Sequence, residues 1–291
     1  MCGRYAAAMA TDDLVEQLAI DLDATGDPVR SVLRSPQEPP AGAPDYNIAP
    51  SKNARVVVAR PPRDAARPGP GESRDAHVEP AGDAPLQRQM RLLTWGLVPS
   101  WAKDPRIGAR LANARAETAG SKPAFRAALR ARRALVPADG WYEWQVSPVA
   151  TDARGKPVTQ PFFMHRDDGV PVTFAGLYEF WRDERLPGDD PDAWLTTFTI
   201  LTTQAEPALA RIHDRQPLVL DPDQWADWLD PRCDPDRVAA LLATQRPGRF
   251  GAYPVGREVG NSRVNGARLL EPADPALLRG VVDPATGEVL A

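Results

Sequence analysis

The sequence has few of the residues that build metal centres and disulfide frameworks. Its 291 residues include two cysteines and three histidines, and neither type is clustered. Cys2 and Cys233 alone do not make a disulfide framework, and a structural zinc site needs about four clustered Cys or His ligands. We therefore expect no metal or other cofactor, and a reducing, cytoplasmic setting that keeps Cys2 free.

Long apolar runs and familiar catalytic motifs are also missing. No stretch approaches the ~20 apolar residues that span a bilayer, and no signal peptide is evident at the start. The chain lacks the glycine-rich nucleotide motifs, the G-x-S-x-G elbow and the H-E-x-x-H zinc motif. Membrane insertion, nucleotide-cofactor chemistry and these hydrolase mechanisms therefore have no support.

Positive charge is scarce overall but concentrated in one segment. The net charge of -4 argues against a nucleic-acid partner. Between Arg88 and Arg133, however, 11 Lys/Arg accompany only two acids, Asp104 and Glu117. This segment predicts a local phosphate-binding surface, unless folding brings acids from the rest of the chain close to it.

The hydrophobic patterns are short throughout the chain. Strand patterns cover 54–60, 90–97, 162–165, 172–178, 195–201 and 218–220, and helical patterns cover 11–22, 122–132, 207–212, 223–229 and 235–243. Thr11 is the predicted N-cap of the first helix. Many short strands with a few short helices predict an α+β fold: a single domain with a barrel-like, mostly antiparallel β core and flanking short helices.

Several polar segments interrupt these patterns. Residues 61–87 hold 6 Pro and 3 Gly, and residues 182–193 are charged and contain proline, so both predict flexible insertions. Residues 147–160 predict a polar loop. The last residues lack periodicity, and we expect one domain over 2–270 and a mobile tail over 271–291.

A thiol stands at position 2, directly behind Met1. Methionine aminopeptidases remove an initiator Met when the next residue is small, which would leave Cys2 with a free α-amine beside its thiol. Two nucleophiles on adjacent carbons are suited to capturing one aldehyde together. The alternative is a buried or incidental cysteine at a disordered terminus.

Three further polar residues lie in apolar or aromatic company. Strand alternation puts Glu143 on the same face as Trp141. Poor solvation would raise the pKa of Glu143 and make it an acid or base near neutrality, unless it is an exposed strand residue. His213 could shuttle protons or satisfy the carbonyls at a helix end. Asn113 could orient an amine or aldehyde oxygen, or cap a loop.

Two residues of the basic segment could meet a single DNA strand. Trp101 could stack on a base and Arg115 could contact a phosphate. A core tryptophan and a surface arginine are the alternatives.

Taken together, the motifs occur in a specific order. They are Met1-Cys2-Gly3-Arg4, Tyr46-Asn47-Ile48-Ala49-Pro50, Trp95-Gly96-Leu97-Val98-Pro99-Ser100-Trp101, Asn113-Ala114-Arg115-Ala116-Glu117-Thr118, Asp139-Gly140-Trp141-Tyr142-Glu143-Trp144 and Ile212-His213-Asp214-Arg215-Gln216-Pro217. The series resembles the SOS response-associated peptidase (SRAP) family, the abasic-site processing proteins. The resemblance covers about residues 2–270, and 259–266 fit the family's C-terminal end.

The resemblance implies site residues as well as a fold. It places the nucleophile at Cys2 and the other active-site residues at Asn113, Glu143 and His213. It implies DNA contacts from Arg4, Trp101, Arg115, Thr202 and Arg215. Some members carry a second Trp beside the first; here that position is Ala102, so stacking next to the lesion is expected to differ.

The resemblance also implies a chemistry and a partner. Members sense abasic sites in single-stranded DNA and form a thiazolidine crosslink through the N-terminal cysteine after Met removal, which shields the lesion during the DNA damage (SOS) response. Autopeptidase and abasic-site lyase or crosslink-reversal activities accompany it. We expect a monomer in the bacterial cytosol or nucleoid, with replication-fork proteins as further partners. The alternatives are an N-terminal-nucleophile cysteine peptidase or amidase, and a non-catalytic single-stranded DNA binder.

Overall fold

The computed structural model describes residues 2–62, 84–187, 189–244 and 246–290. The strands are β1 Tyr5–Ala7, β2 Leu22–Asp23, β3 Asp45–Ile48, β4 Asn53–Arg60, β5 Gln87–Trp95, β6 Asn113–Arg115, β7 Arg133–Ala138, β8 Gly140–Thr151, β9 Pro157–Arg166, β10 Val172–Arg182, β11 Trp194–Gln204, β12 Arg215–Pro217 and β13 Phe250–Pro254. The α-helices are α1 Thr11–Gln17, α2 Ala116–Ala119, α3 Arg126–Ala131, α4 Pro222–Leu229 and α5 Pro235–Ala243.

Five strands close into a barrel. β4 pairs with β5 and β7, β7 with β10, and β10 with β11, all antiparallel. The ring closes where β11 pairs parallel to β5, with Thr197 opposite Thr94. The prediction of an α+β single domain with a barrel-like, mostly antiparallel core is confirmed.

A second sheet packs against this barrel in the order β13-β9-β8-β1-β3. Its inward side chains meet those of the barrel in one hydrophobic core. Tyr5 lies edge-on to Trp95 with ring centroids 5.2 Å apart, and Trp141 lies edge-on to Phe174 at 6.0 Å. Burial of these large rings stabilises the packing of the two sheets. The N-terminal strand β1 is thereby fixed at the centre of the molecule.

The helices α4 and α5 cover the outer face of the barrel. A capping box starts α4: the Asp221 side chain accepts a hydrogen bond from the Gln224 backbone N–H, and the Gln224 side chain accepts one from the Asp221 backbone N–H. Trp225 and Trp228 fall one helical turn apart and are buried against Leu135 of β7 and its neighbours. The helical pattern predicted for 223–229 and 235–243 is confirmed.

Three local predictions are wrong because tertiary packing overrides the local pattern. The first helix ends at Gln17, and its N-cap is Ala10, without a side-chain cap, rather than Thr11. Residues 207–212 form turns instead of a helix. Much of 147–160 is strand, because β8 and β9 extend to pair Thr151 with Pro157.

The two predicted insertions differ in what the structure describes. Residues 63–83, most of the first insertion, lie outside the described residues. The segment 182–193 joins β10 to β11, and Asp183 within it forms ion pairs with Arg30 at 3.0 Å and Arg185 at 2.7 Å. Among the described residues no helix is both long and apolar enough to cross a membrane.

Candidate functional site

The N-terminal segment delivers Cys2 into the core. Tyr5 of β1 pairs with Trp141 of β8, and the backbone N–H of Tyr142 donates to the carbonyl of Arg4 at 2.9 Å. Cys2 is fully buried and belongs to the same hydrophobic core as these strands. It is therefore buried but held in a defined place, rather than lying at a disordered terminus.

Asn113 holds the backbone of Cys2. Its Nδ2 donates to the Cys2 carbonyl oxygen at 2.6 Å. Asn113 opens β6, which pairs parallel to β11 with Asn113 opposite Ile200. The buried Oδ1 of Asn113 accepts no hydrogen bond from the described residues. The Asn113 amide therefore fixes the Cys2–Gly3 peptide unit.

Glu143 faces the core between the second sheet and the barrel. It is only 4% exposed, and its neighbours along and across the strand, Trp141 and Phe162, lie in the main core. Tyr142 and Trp144 belong to a different cluster on the opposite face, as the alternation predicted. Burial raises the pKa of Glu143 to about 7. The alternative of an exposed strand glutamate is therefore wrong.

The Glu143 carboxylate acts electrostatically on the Cys2 thiol. Burial raises the pKa of the Cys2 thiol well above its ordinary value, and the nearby Glu143 carboxylate raises it further. At neutral pH the sulfur therefore carries its proton. Because the thiolate is the reactive form of a cysteine, the buried thiol is a weak nucleophile by itself.

His213 lies on the turn between β11 and β12. Its side chain is 28% exposed, and its Nδ1 accepts the backbone N–H of Arg215 at 3.0 Å. Burial lowers the pKa of His213, so the imidazole is mostly neutral at pH 7. It does not satisfy the carbonyls of a helix end, because no helix forms there.

Arg215 is anchored by helix α2 and strand β11. Its guanidinium donates to both carboxylate oxygens of Glu117, at 2.6 and 2.9 Å, and to the Thr202 carbonyl at 2.6 Å. Thr202 is fully buried on β11, opposite Arg115 of β6 and Pro217 of β12. These contacts bring Thr202, Arg115 and Arg215 onto three neighbouring strands.

Arg4 is hydrogen-bonded within the protein to Asn47, a residue to which the sequence assigned no role. One Nη of Arg4 donates to Asn47 Oδ1 and to the Val259 carbonyl, each at 2.8 Å. Asn47 Nδ2 donates in turn to the carbonyls of Val259, Asn261 and Val264. Asn47 therefore ties the segment around residue 260 to the N terminus; its place in an ordered motif was the available signal.

The basic segment divides into buried and exposed cations. Arg133 is buried and donates to backbone carbonyls at the ends of α3 and α4. The exposed cations of the basic segment are Lys103, Arg106, Arg110, Arg115, Lys122, Arg126 and Arg130. Trp101 is 60% exposed, so the alternative of a core tryptophan is wrong. Within the described part of the chain no hydrogen bond or ring contact joins Trp101 to the other site residues.

The structure therefore joins most of the predicted site through two short strands. β6 links Asn113, which holds Cys2, to Arg115, which lies opposite Thr202. β12 begins at Arg215, and the backbone N–H of Arg215 donates to His213 Nδ1 and so orients the imidazole. No group of three or more potential metal ligands occurs among the described residues.

These features define a single-domain α+β protein whose candidate catalytic centre is built around its own N terminus. The chain belongs to the SOS response associated peptidase (SRAP) family, whose family model matches residues 1–262. It is 33% identical over 275 residues to the abasic site processing protein YoqW of Bacillus subtilis (strain 168), covering 93% of this chain and 99% of YoqW.

More distant relatives and solved structures agree with this assignment. The abasic site processing protein YedK of Escherichia coli (strain K12) is 29% identical, covering 94% of this chain and 100% of YedK. HMCES of Rattus norvegicus, with the same description, is 28% identical, covering 94% of this chain and 76% of HMCES. A crystal structure of a Bacteroides thetaiotaomicron protein superimposes with a TM-score of 0.67 at 18% identity, covering 94% of this chain and 100% of that one, which supports the fold.

Proposed function

We propose that this protein captures abasic sites in single-stranded DNA as a covalent thiazolidine on Cys2 and so shields them from strand cleavage. The observation that carries the proposal is the arrangement at the N terminus. Asn113 holds the Cys2 carbonyl at 2.6 Å, and the neighbouring carboxyl of Glu143 has a pKa of about 7. The choice of an abasic site as the lesion comes from the similar proteins YoqW and YedK, which are named abasic site processing proteins.

The first step is imine formation. Removal of Met1 exposes the α-amine of Cys2, whose reference pKa of roughly 7.7–8.0 leaves an appreciable neutral fraction. The amine nitrogen attacks the aldehyde carbon of the open abasic sugar, and the carbinolamine loses water. Glu143 donates a proton to the departing oxygen and takes one from nitrogen, which a carboxyl with a pKa near 7 can do in both directions.

The second step closes the ring. The Cys2 sulfur bonds to the imine carbon, and the thiol proton passes to the nitrogen, which gives a five-membered thiazolidine. The raised pKa of the Cys2 thiol makes direct attack on the aldehyde slow, so the amine acts first. Holding both nucleophiles on one residue then supplies the effective concentration for ring closure.

The remaining site residues position or reverse the product. Asn113 orients the N terminus, and His213, neutral at pH 7, accepts or donates a proton during crosslink reversal or β-elimination. Arg4, Arg115 and Arg215 are the proposed phosphate contacts, Thr202 supports Arg215, and exposed Trp101 stacks on a base. We place these activities in a domain over 2–270 that acts as a monomer.

The experiment mixes purified protein with a single-stranded oligonucleotide carrying one abasic site and separates the products on a denaturing gel. We expect a heat-stable shifted band, absent with an intact oligonucleotide. Cys2→Ser removes the band and retains non-covalent binding. Cys233→Ser is the matched control, since Cys233 is a free thiol remote from the N terminus in sequence, and it keeps the band.

Two outcomes would overturn the proposal. A stable crosslink of normal yield from Cys2→Ser would exclude the thiazolidine. No crosslink from wild-type protein, with Met1 shown by mass spectrometry to be removed, would exclude covalent capture. Hydrolysis of a peptide substrate without DNA would then favour the N-terminal-nucleophile peptidase, and equal binding of intact and abasic strands a simple DNA binder.

A further inference from the structure

The last residues of the chain pack on the loop that carries His213. Residues 278–290, the C-terminal strap, lie beyond the region matched by the family model. Leu278 and Val281 of the strap are buried in the main core together with Leu209 and Ile212 of the loop. The loop, residues 205–214, is closed by a hydrogen bond from the Ala205 N–H to the Asp214 carbonyl. Strap and loop therefore share apolar burial.

Gln145 connects the strap, the loop and strand β8. It is buried two residues beyond Glu143, on the same face of the strand. Its Nε2 donates to the Arg211 carbonyl at 3.2 Å and to the Val282 carbonyl at 2.9 Å. Its Oε1 accepts the Val282 N–H at 2.8 Å. One amide thus fixes both segments against the strand that carries the candidate acid–base residue.

Arg211 makes the reverse connection from the loop to the strap. Its guanidinium donates to the Pro284 carbonyl at 2.7 Å and to the Ala285 carbonyl at 3.3 Å. Arg211 lies two residues before His213, so the strap holds the loop next to the imidazole. Charged donors to backbone carbonyls are among the stronger hydrogen bonds of a protein surface.

Glycines at two contact points allow the strap to approach closely. Gly280 has φ +59, and a Cβ there would come within 2.4 Å of Ser147 Oγ and 2.5 Å of the Ala150 Cβ. Ser147 Oγ instead donates to the Gly280 carbonyl at 2.7 Å. Gly287, at φ +82, packs against the Arg211 guanidinium, 3.3 Å from the Cβ position to Nε. The strap sequence therefore fits this surface in detail.

We propose that Gln145 and Arg211 are positioning residues that use the C-terminal strap to hold His213 in place for the DNA reaction. The proposal rests on the proposed function for its chemistry, but the docking itself is a property of the protein alone. The backbone N–H groups of Leu209 and Ala210 donate to the Glu206 carbonyl, and those of Ile212 and His213 donate to the Leu209 carbonyl. Because such isolated turns are too short to be stable by themselves, the outside contacts set how often the loop opens.

The first test needs no DNA. Hydrogen exchange is followed in 205–214 for wild type, Arg211→Met, a chain ending at residue 277, and Arg279→Met, which removes an exposed arginine of the strap. We expect exchange in the loop to rise about tenfold in the first two variants and to stay unchanged in Arg279→Met. Exchange in β1 and β5 should remain as in wild type, because the hydrogen bonds described for the strap go to β8 and to the loop. Unchanged exchange in 205–214 would overturn the docking.

The second test uses crosslink reversal and its pH profile. We expect Arg211→Met and Gln145→Leu to slow reversal and to shift the pH dependence that His213 contributes, with Arg211→Lys in between. In a His213→Gln background the same variants should add nothing. An equal slowing by Arg211→Met in that background would show that the strap acts independently of His213.

The two tests separate the two proposals. If no crosslink forms with wild-type protein, the proposed function fails, while the exchange experiment still decides whether the strap holds the loop. If crosslinking is normal and the exchange and reversal rates of the variants are unchanged, the strap proposal fails by itself.

Discussion

The two sides of the candidate site differ in burial and in charge pairing. On the N-terminal side, Cys2 and Glu143 are buried in the main core, and burial is the largest cause of both pKa shifts. On the other side, the partly exposed His213 lies on a turn, and Arg215 at the start of β12 pairs with Glu117 of helix α2. Desolvation shifts the pKa values of the acid–base groups on both sides, His213 included, and the second side adds the Arg215–Glu117 ion pair.

This difference predicts how each side responds to solution conditions. Where desolvation sets the pKa of a group, its reactivity depends on pH and on the packing around it, and salt changes the pKa little. Ion pairs with one exposed partner, such as Arg215 with the half-exposed Glu117, weaken in salt and exchange partners at small cost. The buried side is thus suited to chemistry, and the exposed side to contacts that form and break with DNA.

The largest effect is expected from the carboxyl of the buried side. Glu143→Gln keeps the shape but removes the exchangeable proton, and we expect crosslink formation to slow by roughly a hundredfold. Wild-type rates should change with pH around the pKa of about 7, and the variant's should lose that dependence. Rates are measured by quenched gel assays from pH 5 to 9; an unchanged profile would exclude Glu143 as the acid–base group.

The same residue should make stability depend on pH. The pKa of Glu143 is raised from 4.5 to about 7 in the folded protein, so the folded state holds the proton more tightly. The stabilisation from this group is full below pH 4.5 and is lost as pH rises toward 7, by about 3 kcal/mol at most. Denaturant unfolding at pH 5 and 8 should show a smaller difference for Glu143→Gln, whereas Glu16→Gln on α1 behaves as wild type.

A smaller effect is expected at the amide that holds the N terminus. Asn113→Ala removes the donor to the Cys2 carbonyl, and we expect crosslinking to slow about tenfold through misplacement of the nucleophiles. Binding of an intact single strand should be nearly unchanged, as fluorescence anisotropy can show. Loss of strand binding comparable to the loss of crosslinking would instead give Asn113 a role on the DNA-binding side.

The smallest effect is expected on the exposed side. Glu117→Gln releases Arg215 from its carboxylate partner, and we expect single-stranded DNA affinity to rise about two- to fivefold at low salt. Glu16→Gln, which removes an equal charge from the exposed face of α1, is the matched control. A fall in affinity would mean that Glu117 holds Arg215 ready for the phosphate, and the contrast between the two sides would need revision.

Local hydrophobic patterns in the sequence predicted several strands and helices correctly. The strand 54–60 and the helices 223–229 and 235–243 occur as expected, because their hydrophobic spacing matches the surfaces that they cover. The alternation around Trp141 and Glu143 was also recoverable, since β8 has one face in each of two apolar clusters. The site residues came from ordered motifs, which carry more information than composition does.

Contacts between distant residues were not recoverable in this way. The turn at 207–212 has helical spacing, but its side chains are drawn toward the strap and the core. Residues 271–291 lack periodicity, so we expect a mobile tail there. In the structure, Gln145, Ser147 and Arg211 make hydrogen bonds to this segment. No local sequence pattern predicts such contacts.

The sequence by itself determined the chemical groups available: an N-terminal thiol, a carboxylate among aromatics, an amide, a histidine and a basic segment. Only the tertiary structure decided their states and pairings. Burial in the core raises the pKa of Glu143, and long-range contacts bind Asn113 to Cys2 and Arg215 to Glu117. The physical reason is that desolvation and hydrogen bonding depend on neighbours about a hundred residues away along the chain, which only the fold brings together.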